Sequence, residues 1–430
     1  MLCLLLSLLA SGASGAVLDS RTIHSATLAN GLRLVVSEDE AAPVVSVEVI
    51  VRAGSADDPP GLAGLAHLLE HLCWMGAEGA DPRAAIEEVG GATNAGTLRD
   101  FTRFYATVQP ADLGRALQAL AAMVRHEDFP DASVSRERTM ILQEAATRRD
   151  EPRAVLNDLA FQAIYGDSHP YGHHIEGSEE SLAAITAANL SSFHRTWYVP
   201  NNMAVVAAGK VKFEAVLKEA EAAFGGLSPA ALPPRTRPVV ARPGPGGERA
   251  EDTSFREVYL VAAFVAPAVS EPAAVAASDV MATLLGQSQV GRLRRDLQER
   301  DGLVKAAGVD FLTQREQGLF GIWAICDPDK IEGVRQAIEA ELARLASSPV
   351  PPDELVVAKR LLAAEYAFAN ETAGDRATTL GFYEAVDSYR FASQYLSLVW
   401  SVTPGDIRDV AAWYAGAPMW VVMQPSGVAQ

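Results

Sequence analysis

The sequence predicts an α+β protein of two duplicated domains, each a largely antiparallel sheet with helices packed on one face, joined by a Pro/Gly-rich linker. Three observations lead there. An Asn30-Gly31 turn opens blocks of strands and helices that do not alternate strictly, as they would around a parallel sheet. Prolines and glycines crowd residues 229–253 and interrupt every periodic pattern, which marks the linker. On either side of it the chain repeats itself. Thr186, an amphipathic stretch, Trp197-Tyr198, Pro200 and an apolar run closed by Gly209 answer to Thr403, an amphipathic stretch, Trp413-Tyr414, Pro418, an apolar run and Gly427.

Residues 1–16 have an uncharged apolar centre, Leu4 to Leu9, and end Ser14-Gly15-Ala16. They read as a short secretory signal peptide, so the mature chain is expected in the periplasm or secreted, although no Lys or Arg precedes the centre and a misplaced start stays open. The segment is too short to span a bilayer, and no later one looks membrane-spanning. In the first domain, 17–228, strand character falls at 32–36, 44–51, 103–108 and 203–208, and helical periodicity at 62–75, 110–124, 134–149 and 153–165. In the second, 254–430, strands are expected at 258–264 and 319–325 and helices at 271–285, 328–345 and 352–368.

The helix at 62–75 holds the most informative segment: His67-Leu68-Leu69-Glu70-His71 reads as a zinc-binding peptidase helix in the inverted order H-x-x-E-H, the plainer alternative being a helix whose histidines only cap packing. Residues four apart stand one turn apart on one face, so His67 and His71 can share a Zn²⁺ ion while Glu70 reaches the attacking water. Cys73 turns to the far side and is a core residue. A third ligand must come from elsewhere. On the 134–149 helix Glu137 and Glu144 lie two turns apart on one face, and from spacing alone they are either site carboxylates or solvated surface. His169, His173 and His174 sit in a Pro/Gly turn that reads as a surface loop more readily than as a second metal site.

Other chemistries fall away. A net charge of −18 argues against nucleic acid and is compatible with basic peptides. The chain has no G-x-S-x-G elbow and no glycine-rich phosphate loop, and the three cysteines make no disulfide framework. At the place matching the metal helix the second half reads Ala276-Ala277-Ser278-Asp279-Val280-Met281, without histidine, so one site per chain is expected.

The ordered set His67-x-x-Glu70-His71, Gly90-Gly91-Ala92-Thr93-Asn94-Ala95-Gly96-Thr97 leading to Asp100-Phe101-Thr102 and Tyr105, Glu137, Ile141-Leu142-Gln143-Glu144, His169-Pro170-Tyr171-Gly172 with Gly177, and Tyr198-Val199-Pro200-Asn201-Asn202 resembles the pitrilysin/insulinase superfamily of zinc metallopeptidases. Within it the chain is similar to the short two-domain branch that includes mitochondrial processing peptidase subunits and bacterial relatives. The resemblance implies that His67, His71 and Glu144 bind one zinc, that Glu70 is the general base, and that Glu137 is a second acidic residue supporting the site. It also implies that the strand holding Asn94 and Ala95 pairs with the substrate backbone. Relatives that act alone or as homodimers carry an Arg and a Tyr in a second-half segment like L-R-E-K-x-G-L-x-Y. Here those places hold Gln298 and Lys305, which implies the zinc-bearing subunit of a heterodimer whose homologous partner supplies the Arg/Tyr pair. The expected activity is hydrolysis of peptides or unfolded segments, and the alternative is a non-catalytic assembly subunit of the same fold.

Overall fold

The computed structural model describes residues 18–75, 81–235, 237–286 and 291–426; the expected signal peptide and Gly427 lie outside them. The first half contributes β1 Ile23–Thr27, β2 Arg33–Glu38, β3 Val45–Val51, β4 Ala92–Thr97, β5 Thr102–Val108 and β6 Met203–Gly209. The second contributes β7 Gly247–Thr253, β8 Val258–Val265, β9 Ala306–Phe311, β10 Leu319–Cys326 and β11 Met419–Pro425. Their orders are β1-β2-β6-β3-β5-β4 and β7-β11-β8-β10-β9. Apart from β1 the sheets correspond strand for strand, each with a single parallel pair, β2 on β6 and β7 on β11, in an otherwise antiparallel ladder. The duplicated helix starts correspond too: Thr186 with Asn189 and Thr403 with Asp406 each form a capping box.

The structure differs from the expectation at the end of the linker, where Gly247–Thr253 is a strand. Its residues are mostly polar because β7 is an outer strand, held by the β11 backbone with few apolar contacts. It also differs in how the sheets are covered. Helices on one face were expected, and each half does stack its own helices on one side. Val47, Val49, Leu34 and Val205 face Leu117 and Leu120 of the helix Leu113–Val124 in one core. The other side is covered too. There Val35, Ile50 and Val206 meet Leu380 of the helix Ala373–Val386, which comes from the second half. In return the helix Pro152–Tyr165 of the first half lays Leu156, Ala160, Phe161 and Ile164 on Val261, Ala263, Val265 and Val421 of the second sheet. With both faces covered, β3 and β6 are buried at every position, which explains why β6 is apolar throughout and why β3 departs from apolar residues only at Ser46 and Glu48. No helix among the described residues is long and apolar enough to cross a membrane.

Candidate metal centre

The H-x-x-E-H segment forms the helix Leu65–Cys73. It starts three residues later than periodicity suggests, because Gly64 before it holds φ 93°, where a side chain is strained and a Cβ would stand 2.7 Å from the Glu176 carbonyl oxygen. Asp58 closes this end from a distance. Its carboxylate accepts hydrogen bonds from the Gly64 and Ala66 amides at 2.8 Å each, satisfying donors that a helix start leaves unpaired. The helix buries Leu65, Ala66, Leu68, Leu69, Leu72 and Cys73 completely and so turns His67, Glu70 and His71 toward β4 and the helix Asp131–Arg148.

That second helix carries both glutamates to the histidines. His71 Nε2 stands 3.5 Å and His67 Nε2 3.9 Å from Glu144 Oε2. One donor atom from each of His67, His71 and Glu144 lies within 4.8 Å of the others, the one such group of three among the described residues. Glu137 approaches from the opposite edge of the second ring, its Oε2 3.4 Å from His71 Nδ1, while its Oε1 accepts from Arg136 Nε at 3.1 Å. Burial, helped by the neighbouring His71, pushes the His67 imidazole down to about 3. It is therefore neutral near pH 7 with a lone pair to give, and its buried Nδ1 meets no hydrogen-bond partner in the protein. Two imidazoles and a carboxylate brought this close together suit a divalent metal of zinc type.

Glu70 is 6 % exposed and does not converge with the three donor residues. Burial raises its carboxyl above the ordinary carboxylate value, against the opposing pull of His71 and hydrogen bonds from Thr97 and Trp74. Thr97 Oγ1 donates to its Oε2 at 3.1 Å. These residues line a cavity of about 920 Å³ together with Asn94, Ala95, Arg83 and Met140. One wall is β4, the outer strand of its sheet, where the Ala95 amide donates to Asn94 Oδ1 at 2.9 Å and stays out of the ladder.

Asp58 and Thr97 escaped the reading of the sequence as site residues. Asp58 lies six positions before Gly64, beyond the reach of a local capping rule, and Thr97 acts across a strand and a helix. The three histidines of the Pro/Gly turn do not converge. His169 is 4 % exposed with Nε2 3.0 Å from the Pro238 carbonyl, His173 Nε2 is 2.8 Å from the Asp167 carbonyl, and His174 Nδ1 is 3.7 Å from Asp158.

Residues 33–178 match the insulinase (peptidase family M16) pattern and residues 184–362 the peptidase M16 inactive domain. An uncharacterized zinc protease of Mycobacterium leprae is 31% identical over 90% of this chain and 87% of its own length. A probable mitochondrial-processing peptidase subunit beta of Arabidopsis thaliana is 30% identical over 77% of this chain and 64% of its own length. The crystal structure of a protease from Helicobacter pylori superposes with a TM-score of 0.83 at 23% identity, covering 94% of this chain and 99% of that one, and so shares the fold. With both halves matched and relatives aligned over nearly the whole length, the chain belongs to the M16 insulinase family of peptidases, in its two-domain form, related to bacterial zinc proteases and to the mitochondrial processing peptidase beta subunit.

Proposed function

We propose that this chain is a zinc-dependent endopeptidase acting on peptides or unfolded polypeptide segments. The observation that carries the reading is the convergence of His67, His71 and Glu144 donor atoms within 4.8 Å of one another, beside the buried carboxylate of Glu70. Three protein ligands leave a fourth position open, the pattern of catalytic rather than structural zinc. Zinc held there supplies a Lewis acid that acidifies water and polarises a carbonyl.

The chain's own residues do the rest. Glu70 takes a proton from the attacking water and returns it to the leaving nitrogen. Glu137, its Oε2 3.4 Å from His71 Nδ1, favours a proton on that nitrogen and so leaves the lone pair on Nε2, the atom that faces Glu144. The open side of β4, with Asn94 and Ala95, pairs with an extended substrate backbone, and main-chain bonds tolerate many side chains. Export follows from residues 1–16, and a homologous partner from Gln298 and Lys305 standing where an Arg/Tyr pair is expected.

Chelator-stripped protein reloaded with zinc should take up about one equivalent and cleave an unfolded polypeptide. Uptake of less than about a tenth of an equivalent would sink the metal assignment. A chain that fills with zinc yet cleaves nothing, alone or with a homologous partner, would instead support the non-catalytic assembly subunit.

A further inference from the structure

We propose that Thr97 is a positioning residue through which the outer strand β4 aims the Glu70 carboxylate. The proposal rests on the peptidase reading above and adds to it the link between the strand that receives substrate and the base that acts on it. Thr97 is the last residue of β4, and its hydroxyl donates to Glu70 Oε2 at 3.1 Å. The Trp74 side chain bonds the same carboxylate from its own helix end, and Thr97 is the contact that reaches it from β4. Threonine suits the task, since its branched Cβ restricts the hydroxyl to few directions and a wandering donor would not fix a carboxylate that has three rotatable bonds.

The backbone of the same residue faces the other way. The Leu98 amide, one residue past β4, donates to the Phe101 carbonyl at 2.8 Å and so faces β5, while the Ala95 amide goes to Asn94 Oδ1 at 2.9 Å, away from it. Alternation along an antiparallel strand therefore sets the backbone groups of Thr93, Ala95 and Thr97 on the open side. A peptide added as a new strand meets Thr97 through the main chain, and the Thr97 side chain holds Glu70. Seating the substrate and fixing the base thus pass through one residue.

Two measurements test this. In metal-free protein, a double-mutant cycle of Thr97→Val and Glu70→Ala should be coupled: the loss of thermal midpoint caused by Thr97→Val should shrink to less than about half once Glu70 is gone. Simple additivity overturns the contact whatever the protein does. In zinc-loaded protein, Thr97→Val should bind as much zinc as wild type and keep KM within about threefold, while kcat falls at least about tenfold. Thr97→Ser, which keeps the hydroxyl, should recover kcat to within about threefold of wild type. An unchanged kcat, or a raised KM at constant kcat, overturns the positioning role while leaving the peptidase reading intact. A wild-type chain that fills with zinc and cleaves nothing, alone or with a homologous partner, overturns that reading and this assignment with it, even where the cycle is coupled.

Discussion

Three glutamates surround two histidines, and their surroundings assign them different work. Glu144 is half exposed and points one oxygen at both Nε2 atoms; Glu137 is 16 % exposed and faces the far nitrogen of His71; Glu70 is 6 % exposed and held by Thr97. Glu144→Gln should therefore lose zinc, because an amide is a poor substitute for an anionic ligand. Glu137→Gln should keep most of the metal and lose activity if, as proposed, Glu137 orients a ligand and does not bind the ion itself. Equal metal loss in both, measured by elemental analysis, would show that the inner and outer carboxylates are exchanged. Glu70→Gln should hold zinc and fold normally while peptide hydrolysis falls at least about a hundredfold, the usual contribution of a placed general base. If that variant loses its metal, Glu70 is a ligand. Cys73, two residues beyond His71, is fully buried and its thiol is pushed up by burial, so it takes no part.

At the scale of elements, what the sequence disclosed and what it hid divide by range of interaction. The His67 to His71 spacing and the two-turn separation of Glu137 from Glu144 are properties of single helices, legible from the 3.6-residue period before any packing is known. That the two helices lie side by side is a tertiary fact, and only the family resemblance pointed to it. The helix Ala373–Val386 stayed hidden, because glycines interrupt its pattern where it must approach β3: a Cβ on Gly381 would stand 2.8 Å from Ile50 Cδ1 and 3.1 Å from Glu48 Oε2. Glu48 beneath it is 1 % exposed, neither carboxylate oxygen meets a hydrogen-bond partner, and Arg103 is 3.4 Å away. Burial pushes its carboxyl up to about 8 from an ordinary 4.5, against the pull of Arg103. Below pH 4.5 the group is protonated folded or unfolded and costs nothing. As pH rises toward 8 the unfolded chain releases a proton that the folded chain retains, so stability falls across that window and levels off above it. Glu48→Gln removes the titration. Unfolding free energies from denaturant titrations should move in the variant's favour by at least about 1 kcal/mol between pH 5 and pH 8.5. A pH-independent difference between the two proteins would mean that Glu48 is ionised inside the fold.

The whole molecule is joined by exchange. Each half covers the second face of the other's sheet with a helix, and the linker is tied down as well, with Arg235 and Arg237 both 2.9 Å from Asp57 of the first half. Residues 17–228 expressed alone should therefore aggregate or bind a hydrophobic dye, since β2, β3 and β6 would expose an apolar face, and co-expression with the remainder should restore solubility. A soluble, cooperatively melting half would show that the exchanged helices are dispensable. Substrate holding is a different matter at this scale, because the residues at the expected places are occupied within the chain. The Gln298 amide donates to the Lys305 carbonyl at 2.7 Å, and the Lys305 ammonium sits 3.0 Å from Glu257 and 2.9 Å from Asp327. Neither offers the planar forked cation or the phenolic donor that an Arg/Tyr pair would bring to a peptide backbone or carboxylate. Poor orientation of the scissile bond costs rate even with every zinc ligand present. The zinc-loaded chain should thus hydrolyse peptides slowly by itself and gain at least about tenfold on mixing with a homologous subunit that carries the pair. Replacing the partner's Arg and Tyr should abolish the gain, and Gln298→Arg with Lys305→Tyr in this chain should recover part of it without a partner. If the isolated chain is as fast as the mixture, it positions substrate by itself, and the heterodimer is not needed to complete the site.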